Sequence, residues 1–287
     1  MAGGDPLERI SRDVSLEGAG EAGSNPEKLH RMTFLRTDEG PLAVLTLDHG
    51  ELNLFDEIVI DSLDNETRTL AATPPRGLLI RAEGSVVSAG VDVHMFDGLS
   101  PQAGAELWRR LLEIVHRVEE LPCPTFFASH ALCLTAAFEL SLACDLLLAA
   151  ESAKFGLVEV VVGLTPSMGG PQRLAERAGP ARAKQLIYTG GLFDAATLER
   201  WNVVNRIWPD DSFMEAARAF ALRIANGPTR AHVATKQIVR TQVEQGTRAA
   251  DAIVPSVSGP LFATDDLKNA VGSFLRDGPG RATYEGR

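Results

Sequence analysis

Five short apolar runs, separated by helical patterns and by proline or glycine breakers, constrain this chain more tightly than any other feature. Residues 32–36 and 42–47 flank Glu39-Gly40 and predict two strands joined by a turn. Residues 77–81 follow the break Pro74-Pro75-Arg76, residues 125–129 follow Pro122-Cys123-Pro124, and residues 146–150 form the last run. Between the runs lie helical patterns. One opens at Asn53 and continues to about Ala71, with Ile58, Leu63 and Leu70 near helical spacing. A second covers residues 102–121, where Leu107, Leu111, Ile114, Val115 and Val118 recur at spacings of three and four. A third, residues 136–144, is almost wholly apolar and so must be buried. Strand alternating with helix predicts an α/β core with short parallel strands. After Gly163 the patterns are mainly helical: 171–177, 180–188, 194–201, 211–226, 229–244 and 265–275. The chain thus divides into a tail at 1–31, a core at 32–210 and a helical region at 211–287.

Composition narrows the function. An apolar content of 45% over 287 residues suffices for a large core. A net charge of -10 excludes a general nucleic-acid binder, which needs a basic face, but leaves room for a small anionic ligand at a local cluster or helix N-terminus. Cys123, Cys133 and Cys144 are odd in number and form no CxxC, which predicts reduced, buried thiols in a cytoplasmic protein. The first 31 residues, rich in Gly, Ser, Glu and Asp, lack the apolar centre of a signal peptide and read as a disordered or weakly ordered tail. No apolar run is long enough to enter a membrane as a helix. No His, Cys and carboxylate grouping has metal-ligand spacing, and no metal or separate cofactor is expected. Ser88 and Ser167 have no evident histidine base, and no Gly-Lys-Ser/Thr follows Gly169-Gly170.

The chemistry concentrates between Ser88 and Gly170. Ser88-Ala89-Gly90-Val91-Asp92 is a small-residue turn after a strand; it is either an ordinary tight turn or a place where backbone N–H groups approach a ligand. The run His130 to Glu139 opens the apolar helix, whose first N–H groups are free to hold an oxyanion. Glu139, read as lying in the first turn of that helix, is either a dipole partner or a buried acid–base group with a raised pKa. Glu159, a lone charge within Phe155-Gly156-Leu157-Val158-Glu159-Val160-Val161-Val162, is either ion-paired or catalytic. Two carboxylates beside free N–H groups can polarise a carbonyl and move protons on an adjacent water.

These motifs, in this order, resemble those of the crotonase (enoyl-CoA hydratase/isomerase) superfamily. The resemblance rests on Ser88-Ala89-Gly90-Val91-Asp92, Phe138-Glu139-Leu140 with Ala143-Cys144-Asp145, Ala153-Lys154-Phe155-Gly156 with Glu159, and Gly163 to Gly170 followed by Gln172-Arg173-Leu174. It also includes Gly179, Ala183 and the run to Tyr188-Thr189-Gly190, and spans roughly residues 34–274. It implies a spiral of ββα repeats with a C-terminal helical trimerisation region, a homotrimer or dimer of trimers, and an acyl-CoA substrate in fatty-acid metabolism. It further implies that Val91 and Ala136 supply the oxyanion N–H groups, and that Glu139 and Glu159 are catalytic. Asn53 is expected in the loop beside the adenine, with Ala89, Gly90, Asp92 and Ser167 also lining the substrate site. Lys268, Arg276 and Arg281 are basic candidates for the CoA phosphates, and His94 is a candidate for the pocket rim.

This chain departs from the family pattern in three places. Thr135-Ala136-Ala137 replaces a common Gly-Gly-Gly, Val91 replaces a common alanine, and Ser167 stands where glycine is frequent. Retention of both glutamates favours hydration of a 2-enoyl-CoA to a 3-hydroxyacyl-CoA. The departures keep open another crotonase-type reaction (isomerisation, decarboxylation or hydrolysis) or a non-catalytic acyl-CoA-binding role.

Overall fold

The computed structural model describes residues 33–287; the tail expected at 1–31 lies outside them. Strands β1 (Phe34–Glu39) and β2 (Leu42–Leu47) form an antiparallel hairpin through Gly40, where the backbone is left-handed. Helix α1 (Glu57–Ala72) begins later than its apolar spacing suggests. Asp56 caps it by accepting from the Val59 N–H at 2.9 Å, which leaves Asn53 in the preceding loop. Then come β3 (Gly77–Ala82), α2 (Pro101–Glu120), β4 (Thr125–Ser129), β5 (Leu132–Leu134), α3 (Thr135–Ala143), β6 (Leu146–Ala150) and β7 (Lys154–Gly156). Ser100 caps α2 and Pro101 opens it, where proline's missing N–H costs nothing.

The main sheet has six strands in the order β1-β2-β3-β4-β6-β9, where β9 is Arg206–Trp208. All its pairs except β1 with β2 are parallel. β2 and β4 are buried along their whole length, which explains why they read as nearly continuous apolar runs, broken only by hydroxyl side chains, rather than as alternating ones. A second sheet, β5-β7-β8 with β8 at Phe193–Asp194, is built from strands of two or three residues. None of those three shows a period in the sequence. Every residue of α3 is buried, as its apolar composition requires.

The remaining helices are α4 (Gly170–Ala178), α5 (Pro180–Thr189), α6 (Ala195–Arg200), α7 (Phe213–Ala225), α8 (Thr229–Gln245), α9 (Thr247–Ser258) and α10 (Asp265–Asp277). Helix α9 is absent from the sequence expectation because Gly246 precedes it and Pro255 sits inside it, both of which read as breakers. Asp145 joins α8 to the core. Its Oδ2 accepts from the Thr125 N–H at 2.8 Å and from Lys236 Nζ at 2.9 Å. The three cysteines are free and buried. Among the described residues, no helix is long and apolar enough to cross a membrane.

Candidate active site

The small sheet assembles the site. β5 and β7 are parallel neighbours, with Leu134 opposite Gly156 at their ends. β5 runs straight into α3, which carries Glu139; β7 leads to a 3-10 turn, Glu159–Val162, which begins with Glu159. Both carboxylates therefore emerge from the same end of adjacent strands. Glu139 is the fifth residue of α3, one residue further in than expected and just past the first turn, because the helix starts at Thr135.

The Ser88–Asp92 turn is fastened beside β5. Ser88 bridges to Cys133 and Val91 bridges to Phe55. Phe55 N–H donates to Gly90 C=O at 2.8 Å, and Asp92 N–H donates to Phe55 C=O at 3.0 Å. That pattern turns the N–H of Val91 away from Phe55, and among the described residues it donates to no protein acceptor. Ala136 is the second residue of α3, where an N–H has no intrahelical partner, and Leu134 at the cap offers no side-chain acceptor. Thr135 joins the two segments. A Cβ on Gly90, whose φ is +117°, would fall 2.7 Å from Thr135 Oγ1. Gly90 thus admits no other residue, and the turn that carries the Val91 N–H packs on the side chain of the residue preceding Ala136. Thr135 itself has φ +46°, unusual for a β-branched residue, and its hydroxyl is buried without a hydrogen-bond partner.

The two glutamates are held differently. Glu139 is 3% exposed. Its Oε1 accepts from the Met168 N–H at 2.9 Å and the Gly170 N–H at 2.8 Å. Burial pushes its pKa up to about 7, against the opposing pull of those N–H groups and of Arg173. Glu159 is half-buried, with Oε2 enclosed and unpartnered among the described residues. Burial and then the charge of Glu139 push its pKa up to about 8. Two N–H donors and Arg173 favour the anion of Glu139, whereas Glu159 has an unpartnered oxygen and a like charge beside it, an asymmetry suited to a base and an acid on one proton-transfer path.

The other expected site residues take part in local hydrogen bonds. Asn53 lies in the expected loop; it is 1% exposed, and its amide is used by that loop. Its Nδ2 donates to the carbonyls of Glu83 (2.8 Å) and Val86 (3.1 Å), and its Oδ1 accepts from the His49 N–H (2.7 Å). Its side chain braces the turn. Ala89 donates its N–H to the Leu52 carbonyl at 2.9 Å. Asp92 caps the turn Val93–Phe96 and bonds His94 Nδ1 at 2.7 Å. Ser167 Oγ donates to the Thr165 carbonyl at 2.9 Å. Lys268 Nζ donates to the Ala263 carbonyl, Arg276 pairs with Asp277, and Arg281 follows α10 in coil. Sequence reasoning took Arg173 only as part of a motif. Its role emerges from the fold, because its guanidinium holds the turn that holds Glu139. Among the described residues, no group of three or more His, Cys, Asp or Glu side chains could hold a metal.

Comparison with known proteins bears on the family and the fold. Residues 38–281 match the enoyl-CoA hydratase/isomerase family model. A crotonyl-CoA hydratase of Syntrophomonas wolfei is 30% identical over 83% of this chain and 92% of its own length. A short-chain-enoyl-CoA hydratase of Clostridium acetobutylicum is 28% identical over 83% of this chain and 92% of its own. The structure of an enoyl-CoA hydratase from Bacillus anthracis superposes with a TM-score of 0.82, covering 89% of this chain and all of that one at 24% identity, which speaks for the crotonase fold. This chain belongs to the enoyl-CoA hydratase/isomerase family.

Proposed function

We propose that this enzyme adds water across the double bond of a 2-enoyl-CoA thioester to give a 3-hydroxyacyl-CoA. The carrying observation is the pair Glu139 and Glu159, pushed up to about 7 and about 8, at the ends of adjacent strands beside two free backbone N–H groups. In this reading the thioester oxygen lies between the N–H groups of Val91 and Ala136, which strengthen their bonds as the enolate forms. Glu139 takes a proton from the water as its oxygen bonds to the β-carbon. Glu159 delivers its proton to the α-carbon, and the pair resets by passing one proton from Glu139 back to Glu159. The reaction consumes only water and thioester, so no cofactor is required beyond the CoA of the substrate.

Loss of enoyl-thioester absorbance with crotonyl-CoA tests the reading. Glu139→Gln and Glu159→Gln should each lower turnover by ~100-fold or more, the range of general acid–base catalysis. Full activity in both variants would sink it. A product with unchanged mass would instead indicate isomerisation. We further propose that the chain assembles as a trimer through its C-terminal helices. Phe262 (74% exposed) and Leu275 (80% exposed) support this reading, because such side chains are costly on a free surface.

A further inference from the structure

The Gly169-Gly170 turn is confined from both sides. A Cβ on Gly170 would lie 2.8 Å from Glu139 Cγ, and one on Gly169 would lie 2.2 Å from Arg173 Nη1. Arg173 is 7% exposed and bonded on two sides. Its Nη1 donates to the Gly169 carbonyl at 3.2 Å, while Nε (3.1 Å) and Nη2 donate to the two carboxylate oxygens of Glu119 on α2. Arg173 lies in the first turn of α4, and its guanidinium folds back to the helix N-terminus, where the dipole disfavours a cation. Tying α4 to α2 could be done from the exposed face of either helix, without that electrostatic conflict. What this placement adds is a grip on the carbonyl between the two N–H donors of Glu139.

We propose that Arg173 is a positioning residue for Glu139. It clamps the Gly169 carbonyl, so that the Met168 and Gly170 N–H groups both converge on Oε1 and leave Oε2 as the oxygen that addresses the water. The proposal rests on the hydratase reading for its kinetic consequence but not for its geometric one. The charged groups facing Glu139 are Arg173 from α4 and Glu159 from the turn after β7, with Glu119 of α2 behind Arg173. Removing Arg173 both loosens the turn and withdraws the cation that favours ionised Glu139, so the proton leaves Glu139 at higher pH.

Two measurements test it. The first is independent of activity: the carboxyl infrared band of Glu139 is titrated in a Glu159→Gln background, with and without Arg173→Met. The midpoint should move to higher pH, and Arg173→Lys, which keeps the charge, should return it most of the way. The second is kinetic. Arg173→Met should lower kcat by ~10- to 100-fold, the scale set by small misplacement of a reacting group, with KM within about threefold. Arg173→Lys should stay low in kcat, because an ammonium cannot span both the Gly169 carbonyl and Glu119. An unmoved Glu139 midpoint, or wild-type kcat in folded Arg173→Met, overturns the proposal. If Arg173→Met does not fold, Arg173→Lys decides it, since wild-type kcat there refutes the clamp. If the wild-type protein hydrates no enoyl-CoA, the hydratase reading fails while the titration still decides the role of Arg173.

Discussion

The buried carboxylate at the centre of the site should make the protein less stable as pH rises, and by a calculable amount. Glu139 has an ordinary value of 4.5 and is pushed up to about 7 in the fold, chiefly by burial. Between those values the folded protein keeps a proton that the unfolded chain has already released. Stability from this group is therefore fully present below about pH 4.5, falls as pH rises through that window, and levels off above about 7. At about 1.4 kcal/mol per pH unit, moving from about pH 5.5 to about pH 8.5 costs roughly 2 kcal/mol through Glu139 alone. Glutamine at this position can still accept from Met168 and Gly170 but has no charge to desolvate. Urea unfolding of Glu159→Gln and of the Glu139→Gln/Glu159→Gln double variant at the two pH values isolates the effect, because the coupled carboxylate is then absent from both and more distant titrating groups cancel in the double difference. The protein that keeps Glu139 should lose roughly 2 kcal/mol relative to the double variant on going to the higher pH. Equal pH dependence in the two proteins would mean that Glu139 is not held protonated by burial, and the acid–base assignment built on it would fall.

Thr135→Gly should raise stability. It removes a left-handed φ from a β-branched residue and an unpartnered buried hydroxyl, while losing the methyl that packs on Gly90; the net gain is roughly 1 kcal/mol, measured by denaturant midpoint. An unchanged or lower midpoint would mean that the threonine is satisfied in place. If the helical C-terminal region assembles the protein, light scattering should report about three protomers, and Leu275→Glu should reduce the mass, since a charge at a buried contact is costly.

What the sequence disclosed depended on how much of each signal is carried by side chains. The strands β2, β4 and β6 are legible to the residue because both faces are covered, and the whole run must be apolar. The strands β5, β7 and β8 are invisible because a segment of two or three residues has no period to detect. The site divides in the same way. Glu139 and Glu159 stand out as charges in apolar runs. The role proposed for Val91 and Ala136 uses backbone N–H groups, so their side chains announce nothing, and only a family resemblance points to them. Asn53 too is singled out by the family resemblance, and only the fold reveals that its amide is bonded to three backbone groups. Arg173 is one cation among the 28 Lys and Arg residues until the fold brings it to the Gly169 carbonyl.

The unequal backbone support of the two glutamates is what would separate their proposed roles. Both are removed from water, and burial alone would raise both pKa values by similar routes. Two N–H groups and a nearby guanidinium then favour the anion of Glu139, while Glu159 has an unpartnered oxygen and a like charge beside it. Electrostatics thus favours the anion on Glu139 relative to Glu159. In the proposed hydration the base and acid roles therefore belong to the surroundings, the Gly169-Gly170 turn for one carboxylate and the pocket after β7 for the other. Adding N–H donors at Glu159 would abolish the difference, and with it the directed transfer of protons that hydration needs.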